Sequence, residues 1–200
     1  MIGTQSEARH RVSFEGLAGQ AVQLLSANLL LILCAKIAVP LPGTPVPLTL
    51  QTFGVLLIAV FFGARTSALA AALYLVEGAA GLPVFQPFGA PAGLRLFGPT
   101  AGYLLAFPPA AFVAGWLMER LPARTTAAAG SVTHGLSGWI AVGAALVPGQ
   151  AIILICGWAW LASLIGAQLA FTQGVLPFLP GDLFKVAAVA AIARSVRVRS

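Results

Sequence analysis

Charge is what this chain of 200 residues has least of. Only 8% of its residues are Asp, Glu, Lys or Arg, where a soluble domain carries about 25%. Asp182 is the single aspartate, and Lys36 and Lys185 are the only lysines. With a mean hydropathy of +0.95, this excludes a water-soluble globule. Other absences narrow the field further. No GxxxxGK[ST] run occurs, so no Walker-type ATP site is expected, and any transport must draw energy from partners or a gradient. The first 16 residues lack an apolar core and a cleavage site, so no secretory signal is expected. The two cysteines, Cys34 and Cys156, lie in apolar segments without metal-ligand spacing and read as inert packing residues.

What is present is apolar and rich in Ala, Leu and Val, without the period-two alternation of a barrel strand. A span needs roughly 20 such residues, fewer where neighbouring helices shield it. The pattern predicts spans over 18–39, 49–63, 66–81, 99–118, about 126–156 and 181–194. The fifth is long for one straight span and is interrupted by Pro148-Gly149. It reads as one kinked helix with a re-entrant extension or as two spans, for a total of six or seven.

The arginines favour six. With both termini cytoplasmic, Arg9, Arg11, Arg65, Arg120, Arg124, Arg194, Arg197 and Arg199 fall inside and Arg95 alone falls outside, as the positive-inside rule requires. The expectation is an all-α integral membrane protein of six transmembrane helices. A polar cytoplasmic tail covers 1–16 and a single membrane domain covers 17–200. Residues 148–180 form a mostly apolar stretch over the outer face. Because the arginines cluster between apolar runs, the net charge of +6 marks topology rather than nucleic-acid binding. The outer connections, 40–51, 81–100 and 174–182, are rich in Pro, Gly and bulky hydrophobes. Such loops are stiff and must pack on something.

An ionisable side chain at the centre of a membrane helix costs at least about 2.5–3.5 kcal/mol, which makes function the default reading. Lys36, Glu77, Asp182 and Lys185 qualify, and the six-span topology brings all four to the outer leaflet. Two acids and two bases at one depth predict a polar pocket open to the outside. Plainer roles exist: Lys36 can snorkel, Glu77 can cap or pair, and Asp182, after Pro180-Gly181, can be an N-cap. Lys185 is harder to explain away, because the first turn of a helix disfavours a cation. Its spacing from Asp182 puts both on one helix face, where Asp182 or an anionic ligand would hold it. A second helix start at Gly98-Pro99-Thr100 offers free N–H groups. Tyr103, one turn further, adds an aromatic face and a hydroxyl, or is an ordinary interfacial tyrosine.

Four stretches, AKIAVPLPGTPVPLTLQT (35–52), LYLVEGAAGLPVF (73–85), GPTAGYL (98–104) and GVLPFLPGDLFK (174–185), together resemble the BioY family, the biotin-specific S-components of energy-coupling-factor (ECF) transporters. The resemblance implies a six-helix protein of the prokaryotic plasma membrane that binds biotin from outside. It also implies partners, a transmembrane T-component and two cytoplasmic ATPase subunits, with biotin as transported ligand and no cofactor. On the matching positions, Asp182 and Lys185 would meet a polar end of biotin, the ureido head by preference. Lys36, Gln51, Glu77, Gln86, Gly98, Thr100 and Tyr103 complete the candidate set. Loops 40–51 and 83–98 would close over the ligand, and a small-residue face of Ser26, Ala27, Cys34 and Ala35 would dock the T-component. The chemistry is compatible: an aspartate accepts from ureido N–H groups, and a lysine serves the ureido oxygen or the carboxylate.

Two other readings remain in view. The chain can be a solitary biotin carrier working without an ATPase. Alternatively, HGLSGW (134–139) contains the Gly-x-Ser-Gly of rhomboid intramembrane proteases, with Ser137 as nucleophile. The only histidines are His10, in the polar tail, and His134, three residues from Ser137 on the same helix. Neither suits the general base, so no enzyme activity is expected.

Overall fold

In a computed structural model the chain is described over residues 6–121 and 132–197, with side chains described over 16–121 and 138–195. Helix α1 (Ser6–Lys36) runs to Lys36. Its backbone is already helical at Ser6, so most of the expected tail is continuous with the first membrane helix. A two-residue β-ribbon follows. Strand β1 (Ala38–Val39) pairs antiparallel with β2 (Leu48–Thr49), Ala38 opposite Thr49 and Val39 opposite Leu48. Pro40, Pro42, Pro45 and Pro47 flank or interrupt the connection. They lack the N–H that would extend the ladder, and the ribbon stays short.

Helix α2 (Gln51–Ala79) is broken at Gly63, where φ is +75° and ψ is 179°, a conformation essentially reserved for glycine. The two halves are folded back on each other. The Gln51 amide donates to the Tyr74 hydroxyl at 2.6 Å across 23 positions of sequence, whereas a straight helix would hold them about 35 Å apart. Three groups fasten the reversal. The Glu119 carboxylate accepts from the Ala64 N–H at 2.7 Å, capping the second half with a negative charge at its positive end. The Ser67 hydroxyl lies within hydrogen-bonding distance of the Gly63, Ala64 and Ala111 carbonyls. Gly115 permits contact with Ala64, since a Cβ there would come within 2.7 Å of that backbone.

A 3-10 turn (Ala92–Phe97) leads into α3 (Ala101–Leu105) and, through Ala106, α4 (Phe107–Arg120). The helix starts after Thr100, whose side chain makes no capping bond, and not at Pro99. Helix α5 (Val132–Ile165) passes through Pro148 without a break, so 148–165 is not outer-face covering. Pro148-Gly149 is no turn. Gly149 lets α5 close on α4, because a Cβ there would meet the Ala110 carbonyl and the Ala114 methyl, both at 2.9 Å. The helix ends at Gly166, whose φ of +86° turns the chain. Helices α6 (Ala167–Gly174) and α7 (Leu179–Arg197) complete the fold, bent by 49° at their junction.

Among the described residues, Gly16–Lys36, Gln51–Ala79, Ala101–Arg120 and Gly138–Ile165 are each long and apolar enough to cross a membrane. The bent α6–α7 pair adds a fifth candidate. The expected second and third helices are thus two halves of one interrupted element, and the expected sixth, 181–194, lies within α7. Leu29, Leu33, Val76 and Ile155 are among many large apolar side chains left exposed, as lipid contact allows. Helix α2 packs mainly on α1 and α4. Tyr74 lies at its centre, with Phe85 edge-on at 5.0 Å and Phe107 stacked at 6.4 Å.

The small-residue face of α1 lies on the inside. Ala27, Cys34 and Ala35 are buried, with Cys34 against Gly54, and of the four expected docking residues only Ser26 is exposed. These three pack α1 on α2 because small side chains let two helices approach closely without a hydrophobic drive.

Gly63→Ala is expected to lower unfolding stability by roughly 1–3 kcal/mol, through backbone strain at positive φ and collision with Glu119. A thermal unfolding series of the purified protein in detergent measures it.

Candidate functional site

Asp182 and Lys185 sit in the first turns of α7, where Pro180 and Gly181 precede them. The Asp182 N–H already bonds the Phe178 carbonyl at 2.8 Å, so Asp182 is a helical residue and not the N-cap. Its carboxylate suits the positive end of the helix. Lys185 is held as its position demands: Nζ donates to Asp182 Oδ1 at 3.0 Å and to Thr52 Oγ1 at 3.0 Å. Asp182 is 4% exposed and Lys185 5%. A buried pair of this kind gains little over an apolar pair of equal volume. Its retention in so uncharged a chain points to use rather than to stability.

The pair forms one wall of a partly enclosed cavity. Several elements build the rest of it. The ribbon loop gives Val46, Pro47 and Thr49; the start of α2 gives Gln51 and Thr52. Helices α3 and α4 give Tyr103, Leu104 and Phe107, and α5 gives Gln150, Ile153 and Leu154. Gln86 and Thr100 close the remaining side. The walls are mostly apolar with a few convergent polar groups, the usual composition of a ligand site.

A second cavity shares Pro47, Gln86 and Thr100 with the first and continues to Gly98 and Arg95. A third shares Gln86 and Arg95 and reaches Lys36. Gln86 lines all three. The cavities adjoin through these shared walls, with the Asp182–Lys185 pair in the first and Arg95 in the second and third.

The expected residues therefore divide. Asp182, Lys185, Gln51, Gln86, Thr100 and Tyr103 share one cavity, and Gly98 lies in the adjoining one. Two of these are already engaged. The Gln51 amide is committed to Tyr74 and Thr49, and the Tyr103 hydroxyl donates to the Gly174 carbonyl at 2.7 Å, leaving its ring as wall. Lys36 stands apart at the third cavity, exposed, donating to the Pro83 and Phe85 carbonyls. It pins the loop that carries Gln86 to the end of α1. Glu77 lines none of these cavities; it accepts from the Asn28 amide at 3.1 Å and ties α2 to α1. The four charges do not form one pocket, because two serve helix and loop packing. The rhomboid pair His134 and Ser137 lies outside the described side chains.

Three site residues escaped sequence reasoning. Thr52 is an ordinary threonine in an apolar run. Gln150 follows Pro148-Gly149, a pair misread as a break. Arg95 was taken as a topology marker, yet it is 8% exposed. Its Nε donates to the Ala90 carbonyl at 2.6 Å, and its Nη1 is buried without a partner. Burial lowers its pKa from the ordinary value, the direction expected of a cation with no facing anion. Its isolation in sequence from the other arginine clusters was the signal available.

A model of the BioY family matches residues 7–200. The chain belongs to the BioY family. Curated relatives agree with the assignment. It is 37% identical to the probable biotin transporter BioY of Pyrococcus horikoshii over 76% of this chain and 82% of that one. It is 38% identical to the biotin transporter BioY of Rhizobium etli over 77% and 79%, and 37% identical to that of Thermotoga maritima over 86% and 93%. Among solved structures it is similar, at a TM-score of 0.72 and 25% identity, to the S-component for biotin from an ECF-type ABC transporter. That likeness covers 90% of this chain and 93% of the other. These relatives are transport proteins, not enzymes, and this BioY-family chain is a membrane protein of the same fold.

Asp182→Ala or Lys185→Ala alone should cost about 3–5 kcal/mol of stability, by stranding a buried charge, while a double replacement by Leu should cost far less. Thermal unfolding without ligand measures the difference.

Proposed function

We propose that this chain captures biotin from the outer face of a prokaryotic cytoplasmic membrane and delivers it inward as the substrate-binding subunit of an ECF transporter. What carries this reading is two adjoining cavities, one with an acceptor–donor pair, Asp182 and Lys185, and the other with Arg95, whose buried Nη1 has no partner. Biotin has the matching polarity: a ureido ring, an apolar bicycle and tail, and a carboxylate. The head lies with Asp182 and Lys185 against Phe107, Phe178 and Tyr103. The tail passes Gln86 and Thr100, and the carboxylate meets Arg95. Lys185 is not the carboxylate partner, because Asp182 already neutralises it. Lys36 is spent on two carbonyls.

Six membrane-crossing segments with both termini cytoplasmic fit this role. The reversal at Gly63 supports counting the halves of α2 separately, and arginine then falls almost wholly on the inner side. The chain lacks a phosphate-binding loop of its own. A T-component and two ATPase subunits would supply the energy, as the ECF context of the structural neighbour supports. Labelled-biotin uptake with and without a co-expressed T-component and ATPases tests that assignment. Uptake unaffected by their omission would instead mean a solitary carrier.

Purified protein should bind biotin and desthiobiotin tightly and thiamine not at all, by equilibrium titration. Arg95→Gln should weaken biotin by roughly 10–100-fold, the worth of a charge-assisted bond. It should leave the affinity for biotin methyl ester nearly unchanged. Equal losses for acid and ester would remove Arg95 from the carboxylate end.

A further inference from the structure

Gln150 projects from α5 into the cavity that holds Asp182 and Lys185. It is 5% exposed, and neither its Oε1 nor its Nε2 has a hydrogen-bond partner. Buried amides are almost always satisfied, because an unmet polar group forfeits its bonds to water. The contrast with Gln51, across the same cavity, is direct: both ends of that amide are taken, by Tyr74 and Thr49. The backbone under Gln150 is fixed as well, since Gly149 is clamped between α5 and α4. An unpaired donor and an unpaired acceptor are thus held side by side on one planar group, facing the cavity that Asp182 and Lys185 line.

That pattern matches one edge of a cyclic urea, where a ring N–H and the carbonyl oxygen lie side by side. Asp182 and Lys185, 3.0 Å apart, offer the same acceptor and donor for the opposite edge. We propose that Gln150 is a specificity-determining residue that reads the second edge of the ureido ring. Its Oε1 accepts from one ring N–H, and its Nε2 donates to one lone pair of the carbonyl. Asp182 accepts from the other N–H, and Lys185 donates to the other lone pair. Every polar atom of the head is then met, and so are both ends of the Gln150 amide. A ring with an alkylated nitrogen or an ester oxygen in place of either N–H leaves a buried acceptor facing no donor, which is the strong form of discrimination.

This assignment rests on the biotin reading above and is separable from it. The test uses the full chain, purified in detergent, with Gln150→Leu and Gln150→Glu compared with the unsubstituted protein. The probes are biotin, desthiobiotin and the two singly ring-N-methylated biotins. Gln150→Leu should weaken biotin and desthiobiotin alike by roughly 10–100-fold. One of the two methylated biotins, already weak, should lose no more than about twofold further, because its contact with Gln150 is absent from the start. Gln150→Glu, which keeps the shape but loses the donor, should also weaken biotin. The ligand-free Leu variant should unfold at a higher temperature than the unsubstituted protein, since it removes an unsatisfied buried amide. A merely structural glutamine would move that midpoint down. Unchanged biotin binding by Gln150→Leu, or an equal loss across all four probes, would overturn the assignment of Gln150 alone. Failure of the unsubstituted chain to bind biotin would overturn the transport reading, and this one with it.

Discussion

A carboxylate and an ammonium group 3.0 Å apart, both nearly dry, are the constraint around which this molecule is arranged. Desolvating two charges is costly, and their attraction only about offsets that cost when further hydrogen bonds complete the set. One such bond comes from Thr52, at the start of α2. It requires the connection between α1 and α2 to deliver α2 against the start of α7, which the stiff proline-rich ribbon does. The rest of the cavity wall follows. With α2 in place, its reversal at Gly63 brings Tyr74 to Gln51, and Tyr74 and Phe85 pack behind Phe107, which lines the cavity.

The two ends of the fold do different work. At Gly63 the turn is tight, glycine-dependent and capped by Glu119. Around the cavity the connections are long and carry the polar residues, and Lys36 fastens one of them to α1. Rigid helices therefore supply Asp182, Lys185 and Gln150, while loops supply Gln86 and Arg95. A ligand reaching from one set to the other would bridge helix and loop, a natural way to couple occupancy to closure.

Legibility in the sequence followed the cost of each residue. Asp182 and Lys185 stood out because charge in an apolar run is costly, and the lysine has the wrong sign for a first turn. Lys36 and Glu77 stood out for the same reason and proved to be fasteners, since cost marks an engaged residue without saying what engages it. Gln150 and Thr52 were invisible because an amide or hydroxyl in a membrane helix is unremarkable until its partners are known. Arg95 was seen but assigned to topology. The break in α2 was nearly readable from the two short runs around Arg65, whereas Pro148-Gly149 misled, because a glycine at close helix contact carries the same letters as a glycine in a turn. The four family stretches read correctly as a group, and the family match over residues 7–200 agrees with them.

The account stands on the polarity of the adjoining cavities, with the ureido head at α7 and the carboxylate at the loop. A structure of the protein with biotin bound tests it most directly. The prediction is ring nitrogens and ureido oxygen within hydrogen-bonding distance of Asp182, Lys185 and Gln150, and the carboxylate on the Arg95 guanidinium. Biotin bound in the opposite sense, with its carboxylate on Lys185, or bound outside the cavity, would contradict it.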